Sequence, residues 1–279
     1  MMRERLTITL RKDILDAVDR VIDGTQIRNR SHAIEYLIEK ASTPGIRRVL
    51  ILAGGAGTKA RTLTPEIPKG MLPVDGRPLL EQTINLCRHH EIRDIYLSIG
   101  PEGKPIEHYF GDGSRFGVRI TYLKQSKSNV GTAPSLSQAR DVMGNEPFLV
   151  LYGDVLADIN LTDLLDFHIT SGNVATMALT STAIASDWGV VTLHGSIITD
   201  FIEKPSSGST YSYVINAGMF VFQPEIFDYI PAKSKKLEQD VFPRLAREHK
   251  LSGYLFDGRW YDVGSTKMYH KATKERVRH

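Results

Sequence analysis

Gly54, Gly55 and Gly57 fall at the end of an apolar run, and Thr58, Lys59, Arg61 and Lys69 follow them, in the stretch LILAGGAGTKARTLTPEIPKGMLP. Glycines lack the Cβ that would keep a backbone away from a phosphate chain, and successive N–H groups there cradle anions. A threonine hydroxyl adds a donor, and three cations can meet several negative oxygens. That chemistry suits a nucleoside triphosphate better than an ordinary metabolite.

Three other readings of the glycines can be weighed. A Walker A loop needs Gly-Lys-Ser/Thr after four spacers; Gly54 leads instead to Lys59 and then Ala60, so that loop is absent. A dinucleotide fingerprint is nominally present as Gly55-x-Gly57-x-x-Ala60, with Asp75 downstream. It requires a long helix directly after the loop, and Pro65 and Pro68 obstruct one. A tight strand-to-helix turn with no ligand remains open.

The elements that must position these residues alternate. RRVLILA reads as a strand, Leu79 to His90 as a helix, DIYLSIG as a second strand, and FLVLYGD as a buried central strand. Such alternation predicts an α/β fold: a Rossmann-like mixed, mostly parallel sheet with helices on both faces and ligands at the strand carboxyl ends. The chain has 279 residues, 41% hydrophobic and 24% charged, enough for one sizeable domain and a small appendage. A net charge of +3 permits nucleic-acid binding without arguing for it. The single cysteine, Cys87, leaves no intramolecular disulfide and fits a reducing cytoplasm. Cys87-Arg-His-His invites a metal reading, but the spacing of the other histidines favours a core cysteine on a helix. No apolar run approaches a membrane span, and the charged N-terminus shows no signal-peptide core.

Residues 47 to about 273 resemble the nucleotide-sugar pyrophosphorylases, the sugar-1-phosphate nucleotidyltransferases. Their signature GG-x-GTRL-x-PLT followed by PKPMLPV is matched here by GGAGTKARTLTPEIPKGMLPV. Asp154 in LVLYGDVLADI and Asp262 in Trp260-Tyr-Asp262-Val-Gly264-Ser265 stand where the family's Mg²⁺ ligands stand. By resemblance, Lys59, Lys69, Asp154 and Lys204 are catalytic. Leu52, Gly54, Gly55, Gly57, Thr58, Arg61, Gln125, Gly131 and Thr132 bind the nucleotide, the last three in a base-reading loop with Asn129 and Ala133. Gly189, Glu203, Lys204 and Asn216, in segments like the family's YGVV, EKP and NAG, hold the sugar phosphate. Taken alone, Glu-Lys-Pro is an ordinary surface turn, and an Asp after a strand is an ordinary cap. The helix Leu237-Glu-Gln-Asp240 is read as structural. The implied reaction joins a nucleoside triphosphate and a sugar 1-phosphate, with Mg²⁺ as cofactor. Departures fall at Lys59 for the family arginine, at Ala60, Thr62 and Gly70, and at Pro134 and Ser135. They leave open a regulator that senses nucleotide sugars through a silent active site.

Residues 1–43 read as a separate module, joined to the domain 44–279 by Ser42-Thr-Pro-Gly45. Residues 5–10 alternate as a strand, Asp13 to Gly24 carry a helical stripe, and Ser31 reads as the N-cap of a second helix reaching Lys40. Forty residues cannot bury their own apolar faces, and a lone strand lacks a partner. The segment resembles the ribbon-helix-helix repressors. That resemblance implies a homodimer, or a higher even oligomer, in which Arg5, Thr7 and Thr9 face double-stranded DNA while Arg30 and Ser31 hold a phosphate. Pure dimerisation is the alternative, since the module's charges nearly balance.

Overall fold

The computed structural model describes residues 7–25, 27–42, 46–54, 67–206, 212–264 and 266–276, which belong to two units, Met1–Gly45 and Ile46–His279. In the first unit, α1 (Lys12–Asp19) and α2 (Arg30–Ser42) are joined by a turn built on Asp23. Its carboxylate accepts from the N–H groups of Thr25 (2.8 Å) and Ile27 (2.9 Å). Gly24 takes φ of 76° there, a left-handed value that a Cβ would oppose. The N-cap of α2 is Asn29, not Ser31: the Asn29 side chain accepts from His32 N–H at 2.9 Å. Asparagine satisfies the free N–H of the first turn as well as serine does, and it sits one residue before the helix begins. Thr7–Leu10 carry no strand, and Arg5 and Leu6 lie outside the described residues. A strand needs a neighbour for its N–H and C=O groups, and a single copy of this segment offers none among the described residues.

In the second unit, β1 (Arg48–Leu52) is Val-Leu-Ile through its buried centre. Next come the short pair β2 (Pro73–Val74) and β3 (Arg77–Pro78), α3 (Leu79–His89), β4 (Asp94–Ile99), α4 (Lys104–Phe110) and β5 (Arg119–Lys124). The helices α5 (Thr132–Gln138) and α6 (Arg140–Met143) lead to β6 (Phe148–Tyr152), β7 (Val155–Ala157), α7 (Leu161–Ser171) and β8 (Ala175–Ser181). The chain continues through β9 (Gly189–His194), β10 (Ile197–Glu203), β11 (Val214–Phe222), α8 (Leu237–Asp240) and α9 (Phe242–Arg247). It closes with β12 (Leu251–Leu255), β13 (Trp260–Asp262) and α10 (Thr266–Arg276).

Among the described residues, nine strands form one mixed sheet in the order β5-β4-β1-β6-β11-β8-β12-β10-β9. The ladders from β5 to β6 are parallel; β11 runs antiparallel to both β6 and β8. Successive residues of each strand point to opposite faces. Val49, Ile51, Leu149 and Leu151 pack with Leu80, Ile84 and Cys87 of α3, whereas Leu50, Phe148 and Val150 pack with Leu136 and with Phe242 of α9. Helices therefore cover both faces. Cys87 is wholly inside this core, where burial pushes its thiol up to about 12.

Two reversals bring remote segments to one end of the sheet. Parallel register sets Leu52 beside Tyr152, so β1 and β6 end together. Antiparallel β11 enters there, with Met219 opposite Leu151. The small β7–β13 ribbon pairs Asp262 with Val155, next to Asp154.

His168 of α7 is fully buried, its Nδ1 2.8 Å from Thr176 Oγ1 and its Nε2 3.1 Å from the Gln223 amide nitrogen. The amide can only donate, so Nε2 accepts, and the site fits the neutral ring. Burial lowers the imidazole from 6.5 to about 4. The unfolded chain therefore takes up a proton before the native one does, and stability falls as pH drops from 6.5 towards 4. The loss amounts to about 3 kcal/mol. In urea melts, His168→Gln should flatten the decline over that window; an unchanged profile would assign the decline to other groups.

Candidate active site

At the carboxyl end of β1, a cleft of about 230 Å³ is lined by Leu52, Gly54, Lys69, Gln125, Gly131, Thr132, Tyr152 and Asp154. Gly54 is pressed against its neighbours: a Cβ on it would lie 2.5 Å from Gln125 Oε1 and 3.1 Å from the Gly100 nitrogen. Buried Gln125 spends its amide N–H groups on the Gly131 carbonyl, at 3.1 Å, and on Ser135 Oγ. Its carbonyl oxygen is the atom facing Gly54. Ser135, one of the departures from the family pattern, thus anchors the glutamine. Gly131 has φ of 151°, and a Cβ there would come within 2.2 Å of the Lys235 carbonyl oxygen. That carbonyl alone demands glycine. The Thr132 hydroxyl donates to Glu238 at 2.8 Å and accepts from Leu237 N–H at 2.9 Å.

Asp154 follows β6, and Asp262 ends β13. Val263 N–H donates to the Asp154 carbonyl at 2.8 Å, tying the two turns together. Lys69, in the 3₁₀ turn Lys69–Met71, places Nζ 3.0 Å from Asp154 Oδ2. Asp262 accepts from Trp188 Nε1–H at 2.9 Å and from Gly264 N–H at 2.8 Å. Burial, and then the charge of Asp154, hold the Asp262 carboxyl above the usual range, while these two donors and Lys69 pull it back. A Cβ at Gly264 would stand 2.7 Å from Asp262 Oδ1, 3.1 Å from Lys69 Nζ and 3.6 Å from Asp154 Oδ2, so three charged groups converge on one glycine. Paired carboxylates already attracting an ammonium fit a hard divalent cation, which takes oxygen donors and keeps part of its water shell.

Beyond the pair lies a cleft of about 150 Å³, lined by Tyr152, Trp188, Gly189, Glu203, Lys204, Asn216, Glu238, Trp260 and Asp262. Asn216 is buried, and its carbonyl accepts from Gly218 N–H at 2.8 Å. Burial, then the charge of Glu238, raise the Glu203 carboxyl against the pull of Lys204, whose Nζ is 3.7 Å away. A Cβ on Gly189 would meet the Phe201 ring at 2.4 Å, so packing behind the cleft imposes this glycine. The indoles of Trp188 and Trp260 meet edge to face with centroids 5.4 Å apart. A third cleft, of about 510 Å³, joins Lys69, Asp154, Lys204 and Asp262 to Lys267 and Lys271 of α10.

The expected site residues Leu52, Gly54, Lys69, Gln125, Gly131, Thr132, Asp154, Gly189, Glu203, Lys204, Asn216 and Asp262 thus line contiguous clefts. Gly55, Gly57, Thr58, Lys59 and Arg61 lie outside the described residues, as does Arg5. In the first unit, Arg30 turns its guanidinium onto Asp19 through two bonds of 2.7 and 2.8 Å, so the arginine expected at a phosphate already has a carboxylate partner. Tyr152, Glu238 and Trp260 are additions. Tyr152 ends the apolar run of β6 two residues before Asp154, which marks it as a residue of the same strand end; nothing local in the sequence singles out Glu238.

A family profile described as nucleotidyl transferase matches residues 48–278. The chain belongs to this family. The UTP–glucose-1-phosphate uridylyltransferase of Synechocystis sp. is 34% identical over 245 residues, covering 81% of this chain and 62% of the relative. A probable mannose-1-phosphate guanylyltransferase of Oryza sativa subsp. japonica is 31% identical over 228 residues, covering 80% and 62%. The chain therefore spans about 62% of the length of these two relatives. A probable glucose-1-phosphate cytidylyltransferase of Bacillus subtilis is 31% identical over 248 residues, covering 81% of this chain and 95% of the relative. In structure, the unit has the nucleotide-diphospho-sugar transferase fold. A putative glucose-1-phosphate thymidylyltransferase from Bacillus anthracis aligns with TM-score 0.76 at 23% identity, over 83% of this chain and 96% of the other. A UDP-glucose pyrophosphorylase complexed with UDP-glucose aligns at 0.72 and 23%, over 83% and 98%. No helix among the described residues is long and apolar enough to cross a membrane.

The contact of Gly131 with the Lys235 carbonyl is backbone against backbone, so neither side can yield cheaply. Gly131→Ala should destabilise the unit by about 2–4 kcal/mol in chemical denaturation. A loss below about 0.5 kcal/mol, the range of an indifferent surface change, would mean that the 235–238 segment moves freely away from the loop.

Proposed function

We propose that the family unit transfers a nucleotidyl group from a nucleoside triphosphate to a hexose 1-phosphate, forming a nucleotide sugar and pyrophosphate. One observation carries this reading: Asp154 lines all three clefts, with Lys69, Lys204 and Asp262 each lining two of them. The reacting phosphates would meet where these charges meet. A phosphate oxygen of the sugar 1-phosphate attacks the α-phosphorus while the bond to the bridging oxygen of the β-phosphate breaks, and pyrophosphate leaves. The attacking oxygen is already anionic, so no protein nucleophile or general base is needed; positioning and charge neutralisation suffice. Lys204 and Lys69 hold the two phosphates in line. Glu203 and Asn216 take sugar hydroxyls, and Gly54 with Gly55, Gly57, Thr58, Lys59 and Arg61 receives the pyrophosphate. Asp154 and Asp262 would hold Mg²⁺, which would supply positive charge to the phosphate oxygens. The relatives' names favour glucose or mannose 1-phosphate with UTP, CTP, GTP or dTTP.

Pyrophosphate release from that panel tests the reading. Turnover with at least one pair is expected, falling about 10²–10³-fold in kcat for Asp154→Asn or Asp262→Asn, as when a key charge-stabilising group is removed. Lys59→Arg should raise kcat, because a guanidinium fork grips two oxygens where an ammonium is a point charge. Tight nucleotide-sugar binding without turnover of any pair would instead establish a sensor.

For the first unit, we infer a ribbon-helix-helix dimer that binds double-stranded DNA. Two observations support it. The unit lies outside the matched residues 48–278, and it leaves Ile8, Ile14, Tyr36 and Ile38 between 42% and 53% exposed. Exposed apolar side chains in that number on so small a unit suit burial against a second copy. The full chain should retard random duplex fragments in low salt, and Arg5→Ala should abolish retardation. A dimer in sedimentation that ignores DNA would leave a dimerisation clip.

A further inference from the structure

Glu238 joins the two substrate clefts. Its Oε2 accepts from Thr132 Oγ1 at 2.8 Å, on the loop lining the nucleotide cleft. Its Oε1 accepts from Tyr152 OH at 2.5 Å, and Tyr152 lines both clefts. Glu238 itself lines the sugar cleft, where its charge reaches Glu203. Burial beside these carboxylates keeps the Tyr152 phenol protonated, so it remains a donor.

The chain segment carrying Glu238 grips the base loop at further points. Lys235 Nζ donates to the Ser128 carbonyl at 3.0 Å and to Asn129 Oδ1 at 3.3 Å. The Lys235 carbonyl accepts from Ala133 N–H at 3.3 Å and closes over Gly131. Leu237 N–H reaches the Thr132 hydroxyl at 2.9 Å. A base that shifts this loop must therefore shift, or unbind, the carboxylate in the sugar cleft.

We propose that Glu238 is a positioning residue that couples the nucleotide cleft to the sugar cleft. Resting on the substrate reading above, this means that a nucleoside triphosphate and a hexose 1-phosphate each raise the other's affinity through the Thr132–Glu238–Tyr152 chain. The effect is a property of the pair and reciprocal, so it implies no order of binding.

The test is calorimetric titration of the full chain with the α,β-methylene analogues of UTP, CTP, GTP and dTTP and with glucose and mannose 1-phosphate, each alone and in the presence of the other ligand. The wild-type chain should show mutual enhancement of about fivefold or more for the cognate pair. Glu238→Gln places an amide where two hydroxyls donate, and should cut the enhancement to within about twofold while both separate affinities stay measurable. Thr132→Val, which keeps the shape and removes the hydroxyl, should have the same effect, and the double variant should add nothing, because both act in one chain. Should Glu238→Gln fail to fold, Thr132→Val and Tyr152→Phe carry the test. Ligands that bind independently in the wild type, or enhancement that survives both Glu238→Gln and Thr132→Val, would overturn the coupling and leave the substrates standing. If neither class of ligand binds at all, the substrate reading falls first and the coupling falls with it.

Discussion

Two carboxylates held near each other in a half-buried cleft, Asp154 and Asp262, are the constraint on which the site depends. Like charges so placed repel, and burial removes much of the water that would screen them. The upward displacement of the Asp262 carboxyl records that cost. The fold keeps the pair by covalent and ladder geometry: β7 fixes Asp154 at its start, β13 fixes Asp262 at its end, and their register leaves the chain no way to separate them. What the backbone imposes, cations and donors must offset. Lys69 sits on Asp154, and Trp188 and Gly264 donate to Asp262.

The change of direction at β11 brings a second cleft to the edge where β1 and β6 end. Parallel β1 and β6 deliver loops at their carboxyl ends, which suit a nucleotide. A further parallel strand would carry its own beginning to the far edge. Antiparallel β11 instead begins at the same edge, and presents Asn216 and Gly218 beside Tyr152. Gly218 has φ of 75°, and a Cβ there would lie 3.1 Å from the Tyr152 ring. One glycine thus permits both the irregularity in β11 and the close approach of the tyrosine to the second cleft.

Much of this was legible in the residues themselves. The apolar runs of β1 and β6 announce buried strands because their central positions are all apolar, and Asp154 stands out as the first charge after such a run. Asp262 is legible only through a motif, since one carboxylate gives no hint of a partner over a hundred residues away. Glu238 shows the limit more sharply. Its importance comes from partners at 132 and 152 that no local period links to it, so it reads as an ordinary residue of a short helix. Thr132 shows the same limit from the other side: as a hydroxyl in a nucleotide-like loop it suggests a ligand contact, and it does line the cleft, but both side-chain hydrogen bonds described for it go to the 237–238 segment. The missing strand at 7–10 is a third kind of failure. Alternation reports which faces differ, whereas a strand also needs a neighbour, and the described residues of this unit supply none.

Lys204 bears on whether such a site turns over or merely binds. It adopts φ of 47°, a left-handed conformation that costs a non-glycine residue about 1–2 kcal/mol. Its N–H is pinned to the Trp188 carbonyl at 3.1 Å, so the strain is built in at the end of β10. Glycine would relax the backbone and lose the ammonium. A binder of nucleotide sugars and an enzyme that makes them would both keep this lysine for the sugar phosphate. They differ over the carboxylates. A binder that holds no cation gains nothing from two acids set against each other beside the phosphates of its ligand, where they repel it. For the proposed transfer they have a use: they would hold a divalent cation, which would supply positive charge to the phosphate oxygens. Asp154, Asp262 and the Lys69 beside Asp154 thus weigh on the side of the proposed transfer, where Lys204 fits either reading.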